Sequence, residues 1–303
     1  HCISSAASDV YKRQVNHAIQ LHIRGNISEA TKYYQNCIEQ GIKDCRVFSN
    51  YGIILNKLGK LKDAELSYRK AIEINPNYAN AHYNLGNLLC DLRRLKDAEF
   101  YTRKAIGINP NFANAHSNLG KILYSLGKLK DAELSYRKAI ELNPSFTDAY
   151  YNLGNLFFDL NKLKDADFLY RKAIQLNPNF TAAHYNLGRI SIDLGKLKDA
   201  ELSYRKAIEL NPNFAICHAN LGDLLHDLGK LKDSEFYTRK AIEINPNYAI
   251  AHNNLGSFLR DYGNLEDAEV STRKAIALNP NYAVAHSNLG NILSDLGKLK
   301  DCL

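Results

Sequence analysis

Six histidines recur on one interval: His82, His116, His184, His218, His252 and His286 stand 34 or 68 residues apart. A row of imidazoles invites a metal ladder. Zinc, however, needs its ligands about 2 Å from one centre. Side chains one repeat apart sit on packed layers roughly 8–10 Å from each other, so these rings are read as packing groups. A second row is amide: Asn50, Asn84, Asn118, Asn152, Asn186, Asn220, Asn254 and Asn288. An amide offers both a donor and an acceptor, and a row of them can hold the backbone of an extended peptide without reading its side chains. A third row is mostly aspartate: Asp91, Asp159, Asp193, Asp227, Asp261 and Asp295. The cysteines Cys2, Cys37, Cys45, Cys90, Cys217 and Cys302 show no CxxC spacing and no shared repeat position. They read as free thiols of a reducing compartment, which places the chain in the cytoplasm. No Ser/His/Asp cluster, phosphate loop or carboxylate pair stands out. The chain is read as non-enzymatic, with no cofactor and no metal.

The elements that position these rows follow from the prolines. All seven fall on one series, at 76, 110, 144, 178, 212, 246 and 280, so every gap is 34. That period marks a tandem array. With proline set at repeat position 32, repeats begin at 11, 45, 79, 113, 147, 181, 215, 249 and 283. In the repeat Ala79–Phe112, His82, Leu85, Gly86 and Leu89 form an i, i+3, i+4, i+7 stripe of a first helix. Leu95, Ala98, Thr102, Ala105 and Ile106 mark a second. Glycine at position 15, as in Gly59 and Gly127, suits a left-handed helix end. Proline closes the second helix because it lacks an N–H and clashes with the preceding turn. The asparagine after it, such as Asn77 or Asn247, is expected to cap the next helix. Glycine at position 8, as in Gly52, Gly86 and Gly188, costs ~1 kcal/mol inside a helix, which implies close helix approach there. Positions 2, 6, 9 and 13 of the first helix form a face apart from the packing stripe. The asparagines and aspartates lie on it, with a variable position 9 that includes Lys121, Arg189 and Asp223. On the second helix, recurrent Arg-Lys pairs follow glutamates by four residues, as in Glu65–Arg69 and Glu201–Arg205. This is favourable surface pairing on a solvated outer face.

Leucine at position 7, glycine at 8, alanine at 20 and 27 and proline at 32 (Leu85, Gly86, Ala98, Ala105 and Pro110) resemble the tetratricopeptide (TPR) signature. The likeness covers roughly residues 15–301. The family more often carries an aromatic at position 4, where this chain has mostly histidine. The resemblance implies an all-α, right-handed α-solenoid of tandem 34-residue helix-turn-helix units. It also implies that the first-helix face lines a groove for protein or peptide segments. The groove residues would be Asn84, Asn118, Asn152, Asn186, Asn220, Asn254 and Asn288, with Asp159, Asp193, Asp227, Asp261, Lys121 and Arg189. The amide row, and the run His116-Ser117-Asn118-Leu119, further resemble the TPR arm of O-linked N-acetylglucosamine transferase-like proteins. A scaffold for extended peptides is the first reading. The substrate-recognition arm of a larger glycosyltransferase-like enzyme, its catalytic domain absent from this fragment, is the second. A clamp for a C-terminal carboxylate needs clustered cations, and Arg46, Lys121 and Arg189 are scattered.

Net charge is +7, but the repeat Thr181–Phe214 shows how it is spread: five cations minus four anions gives +1. No basic patch gathers, which argues against a nucleic-acid partner. No apolar run approaches ~18 residues, so no membrane span is expected. Both ends read as foreign. Ser4–Gln14 reads as the translation of a sequencing adapter, and Cys302-Leu303 replaces the Ala-Glu, Ala-Asp or Ser-Glu that follows Asp in the complete repeats. The expected organisation is an adapter-derived segment at 1–14, a divergent N-terminal repeat at 15–44, seven complete repeats at 45–282 and a truncated repeat at 283–303.

Overall fold

A computed structural model describes residues 2–298, with side chains from Tyr11 onward. His1 and residues 299–303 lie outside the described residues, and with them the foreign reading of Cys302 and Leu303. Every element among the described residues is helical. The chain divides into two compact bodies, residues 1–156 and 157–303.

The N-terminal body opens with α1 (Cys2–Ile23), whose backbone runs helical through the adapter-like stretch, and α2 (Ile27–Glu39). Three helix pairs follow: α3 (Cys45–Lys57) with α4 (Leu61–Ile74), α5 (Ala79–Asp91) with α6 (Leu95–Ile108), and α7 (Ala113–Ser125) with α8 (Leu129–Leu142). Most of α9 (Thr147–Asp159) completes it. The C-terminal body begins at the end of α9 and continues with α10 (Leu163–Leu176), α11 (Thr181–Asp193) and α12 (Leu197–Leu210). Then come α13 (Ala215–Asp227), α14 (Leu231–Ile244), α15 (Ala249–Asp261), α16 (Leu265–Leu278) and α17 (Ala283–Asp295).

The expected stripes are the packing faces. His82, Leu85 and Leu89 are buried on α5, as are Ala98, Thr102 and Ala105 on α6. The first helix buries more than one stripe. Ala81 and Leu88, at positions 3 and 10, are also fully buried, as are Ala183 and Ile190 in α11. A first helix is sandwiched between its own partner and the preceding repeat, so two faces are covered.

Position 8 is the closest approach. A β-carbon built on Gly52, Gly120 or Gly188 would stand 2.6 Å from the ring of Tyr68, Tyr136 or Tyr204. On Gly86, Gly222 or Gly256 it would meet the hydroxyl of Thr102, Thr238 or Thr272. The helix cost of glycine is the condition for seating these groups.

First helices that end at glycine do so in the left-handed region, with φ of 73° at Gly59 and Gly127 and 71° at Gly195. Two repeats lack that glycine, and Arg93 (φ 61°) and Asn161 (φ 56°) take the same conformation. Asparagine tolerates it through its short polar side chain, while arginine bears the Cβ clash in full. Arg93→Gly is therefore expected to stabilise the chain by about 0.5–1 kcal/mol, read as a higher urea midpoint. Asn161→Gly is expected to gain less.

The proline turns depart from the expected cap. Tyr78 and Tyr248, not the asparagines after proline, occupy the N-cap positions. The asparagine before proline supplies the side-chain bond: Asn75 Oδ1 accepts from the Asn77 N–H at 3.0 Å, and Asn245 Oδ1 from Asn247 at 3.1 Å. This Asx turn spans the proline, which has no N–H to offer.

Candidate functional site

The histidines have a definite job. Nε2 of His82 donates to the Pro76 carbonyl at 2.9 Å, and His116, His184, His218, His252 and His286 repeat the bond on the proline six residues before each. Each ring thus ties its first helix to the turn that precedes it. Because a carbonyl only accepts, Nε2 carries the proton. Burial lowers the pKa of His218, which favours the neutral ring.

The asparagine row lies on the first-helix face, half-buried except for buried Asn118. In the N-terminal body, Asn84 Nδ2 donates to Ser49 Oγ at 3.2 Å and Asn118 Nδ2 to Thr102 Oγ1 at 3.3 Å. In the C-terminal body, Asn220 Nδ2 donates to the Tyr185 hydroxyl at 3.2 Å. Asn288 Nδ2 donates to Asn253 Oδ1 at 2.9 Å and Ser257 Oγ at 3.0 Å. Each of these bonds reaches the preceding repeat. At these four positions the amide is therefore a latch between neighbours, with an N–H already engaged. The Oδ1 atoms of Asn84, Asn220 and Asn288 have no partner among the described residues, and Asn152 and Asn254 bond to none of them. Asn186 is engaged by the protein.

The aspartates are exposed at the ends of their helices. Several close on a neighbour: Asp91 on Lys121 at 3.4 Å, Asp261 on His226 at 2.9 Å, and Asp295 on Arg260 at 2.6 Å. Asp159 is also engaged. Asp193 and Asp227 have no ion-pair partner among the described residues. Arg189 lies over two rings, with Cζ 4.7 Å from the Phe158 centroid and 5.8 Å from Tyr185. Of the three cations weighed for a clamp, Arg46 is tied to Asp44 at 2.6 Å.

Asp223 stands at position 9 of its repeat. It is exposed, yet burial pushes its carboxyl up and the nearby Asp227 charge adds to the shift. With Asp227 beside it, Asp223 makes this face of the C-terminal body negative.

The outer face answers the charge pattern. Glu65 pairs with Arg69 at 2.7 Å and Glu201 with Arg205 at 3.0 Å, as the spacing predicts. The same carboxylates reach the next repeat, Glu65 to Arg94 at 3.0 Å and Glu201 to Lys230 at 2.6 Å, which holds both below the usual carboxylate range. Between these charges the outer face is not simply solvated polar surface. Leu66, Phe100, Leu134, Phe168, Leu202, Phe236 and Val270 are all more than half exposed at repeat position 22. The recurrent apolar residue after glutamate was the available signal, and a packing-stripe reading does not use it.

Cys37, Cys45, Cys90 and Cys217 are free thiols. Burial pushes the Cys217 thiol up to about 12, so it is inert at neutral pH.

Paired helices repeated every 34 residues define an all-α repeat protein of the solenoid class. Family models place it further. Those of the TPR repeat match residues 52–92, 120–161 and 188–229. Those of the tetratricopeptide repeat match 79–112 and 147–180, then 169–201, 237–270 and 272–303, and also 215–248. The chain belongs to the tetratricopeptide repeat family.

Among solved structures, the chain is similar to YrrB, described as a TPR protein with an unusual peptide-binding site. Identity is 29% and the TM-score 0.54, over 61% of this chain and 95% of that one. It shares the fold of the APC/C assembly Cut9–Hcn1 at 17% identity and a TM-score of 0.65, over 92% of this chain and 55% of that one. It shares the fold of Pseudomonas aeruginosa pilF at 20% identity and a TM-score of 0.63, over 72% and 97%. No match was found among curated proteins. The TPR fold commonly mediates protein–protein interaction, and no helix among the described residues is long and apolar enough to cross a membrane.

Proposed function

We propose that the chain is a non-catalytic, cytoplasmic scaffold that holds an extended polypeptide against the first-helix face of its repeats. One observation carries the reading. Amide carbonyls stand at a fixed repeat position with their N–H groups anchored behind them, as at Asn84, Asn220 and Asn288. An anchored amide presents its oxygen at little entropic cost, and a peptide N–H is the donor it suits. Similarity to a structure with a peptide-binding site supports the same reading.

The leftover charge specifies the partner further. On the C-terminal body Arg260 neutralises Asp295, and Asp261 is held by the His226 ring. Asp193, Asp223 and Asp227 then remain against Arg189, so a lysine- or arginine-bearing segment fits. Selection from a random peptide library against the purified chain is expected to enrich lysine and arginine, with affinity falling as salt rises. Selection without charge bias contradicts this assignment.

The second reading, a recognition arm of a glycosyltransferase-like enzyme, draws on the same amide row. A transferase-like domain encoded beyond residue 301 at the source locus would support it; its absence there would remove it.

A further inference from the structure

The outer face alternates in a way the inner face does not. At positions 23 and 24 the repeats carry one of two aromatic arrangements. Ser67-Tyr68, Ser135-Tyr136 and Ser203-Tyr204 place tyrosine at 24, against the glycine of position 8. Tyr101-Thr102 and Tyr237-Thr238 shift it to 23, on the outside. There the ring has a fixed seat. Tyr237 lies 5.8 Å from the His218 ring, with its hydroxyl accepting from Arg205 Nη1 at 2.8 Å and the guanidinium 5.3 Å from its centroid. Tyr101 repeats this on His82 at 6.0 Å, with Arg69 Nη1 at 2.9 Å and the guanidinium at 5.6 Å. Under these rings the histidines are buried, 6% exposed at His82 and 4% at His218.

One repeat has neither aromatic. Ser271-Thr272 leaves the seat between α14 and α16 empty, and a cavity of about 460 Å³ stands there. His252 and Leu255 floor it, Ile242 and Val270 wall it, and Arg239 and Lys274 rim it. His252 keeps its bond to Pro246 but is only half-buried. Arg239 holds Glu235 through Nε at 2.7 Å, as Arg205 holds Glu201 at 3.0 Å. Its Nη atoms, which in Arg205 reach the tyrosine, bond to none of the described residues. The cavity at Ser203 differs, because its arginine, Arg171, spends Nη2 on Asp199 at 2.7 Å.

We propose that the pocket of Arg239, His252 and Ser271 binds a tyrosine side chain presented by a partner polypeptide. The chain itself shows the complementary group: the same surroundings, repeated at His218 and His82, each close on a phenol. Volume, stacking surface and an unspent cationic donor are all in place for the ring and its hydroxyl. The exposed Phe236 and Val270 beside the pocket give the flanking residues of the segment an apolar bed. This site is on the face opposite the amide row and does not depend on it.

The test is titration with N-acetyl-tyrosinamide, N-acetyl-phenylalaninamide and N-acetyl-leucinamide, followed by NMR at the His252 imidazole and the Thr272 methyl. Tyrosinamide is expected to saturate with Kd roughly 1 mM, and phenylalaninamide to bind about tenfold more weakly. Ser271→Tyr recreates the Tyr237-Thr238 pair and fills the seat from within, so tyrosinamide affinity should fall at least about tenfold. Arg239→Met should remove the preference for tyrosine over phenylalanine, and it carries the test alone if Ser271→Tyr fails to fold. Equal response to all three amides, no saturation, or binding that survives Ser271→Tyr would overturn the proposal.

Discussion

Gly188→Ala is expected to destabilise the chain by about 2 kcal/mol, while Gly107→Ala, the same change on the exposed side of α6, stabilises it by up to ~1 kcal/mol. Both substitutions remove the ~1 kcal/mol helix cost of glycine. They differ in what the new methyl meets. At Gly188 it would stand 2.6 Å from two atoms of the Tyr204 ring. That ring is 1% exposed and has no free volume to move into. Overpacking of this kind costs about 1–3 kcal/mol, and the displaced tyrosine also loses its contacts with Ala200, Ala207 and the neighbouring α13. At Gly107 no described atom lies within 4 Å of the added carbon. Urea unfolding followed by circular dichroism reads the two variants with opposite signs. Equal shifts at the two sites would mean that close approach does not explain the glycine at position 8.

Removing amides from the C-terminal body should abolish most of its peptide affinity. The triple variant Asn220→Ala, Asn254→Ala, Asn288→Ala deletes three acceptors. A net hydrogen bond contributes about 0.5–1.5 kcal/mol, so the expected loss is about a hundredfold. The variant also breaks the latches from Asn220 to Tyr185 and from Asn288 to Asn253, which lowers stability by about 1 kcal/mol each but leaves the helices formed. The comparison therefore needs matched helicity. A variant that stays helical and binds as tightly as the parent chain would remove the amides from the recognition surface.

How much of this was legible in the chain varies by element. The proline series gave the helix pairs, and glycine at positions 8 and 15 gave the close approach and the left-handed helix ends, because each of those roles admits few other residues. Arg93 and Asn161 were not legible as left-handed, since only the neighbouring helices force them there. The second burial face at Ala81 and Leu88 was missed because a single stripe describes a helix packed on one side, and these helices are packed on two. The amides recur on one first-helix face, and their spacing says nothing of the bonds they make to the preceding repeat. Sequence spacing shows that Asn84 and Asn220 recur, but not that their donors point back to Ser49 and Tyr185. The alternation of Ser-Tyr and Tyr-Thr was open to inspection, yet its meaning rests on the cavity that Ser271-Thr272 leaves.

The central claim is that a polypeptide lies along the first-helix face. Photo-crosslinking tests it most directly, with a benzophenone amino acid placed at Ser257 on that face or at Leu202 on the outer face, and a library-selected peptide carrying no tyrosine as the ligand. The account predicts crosslinks from Ser257 and none from Leu202. Crosslinks from Leu202 alone would contradict it and move recognition to the outer face.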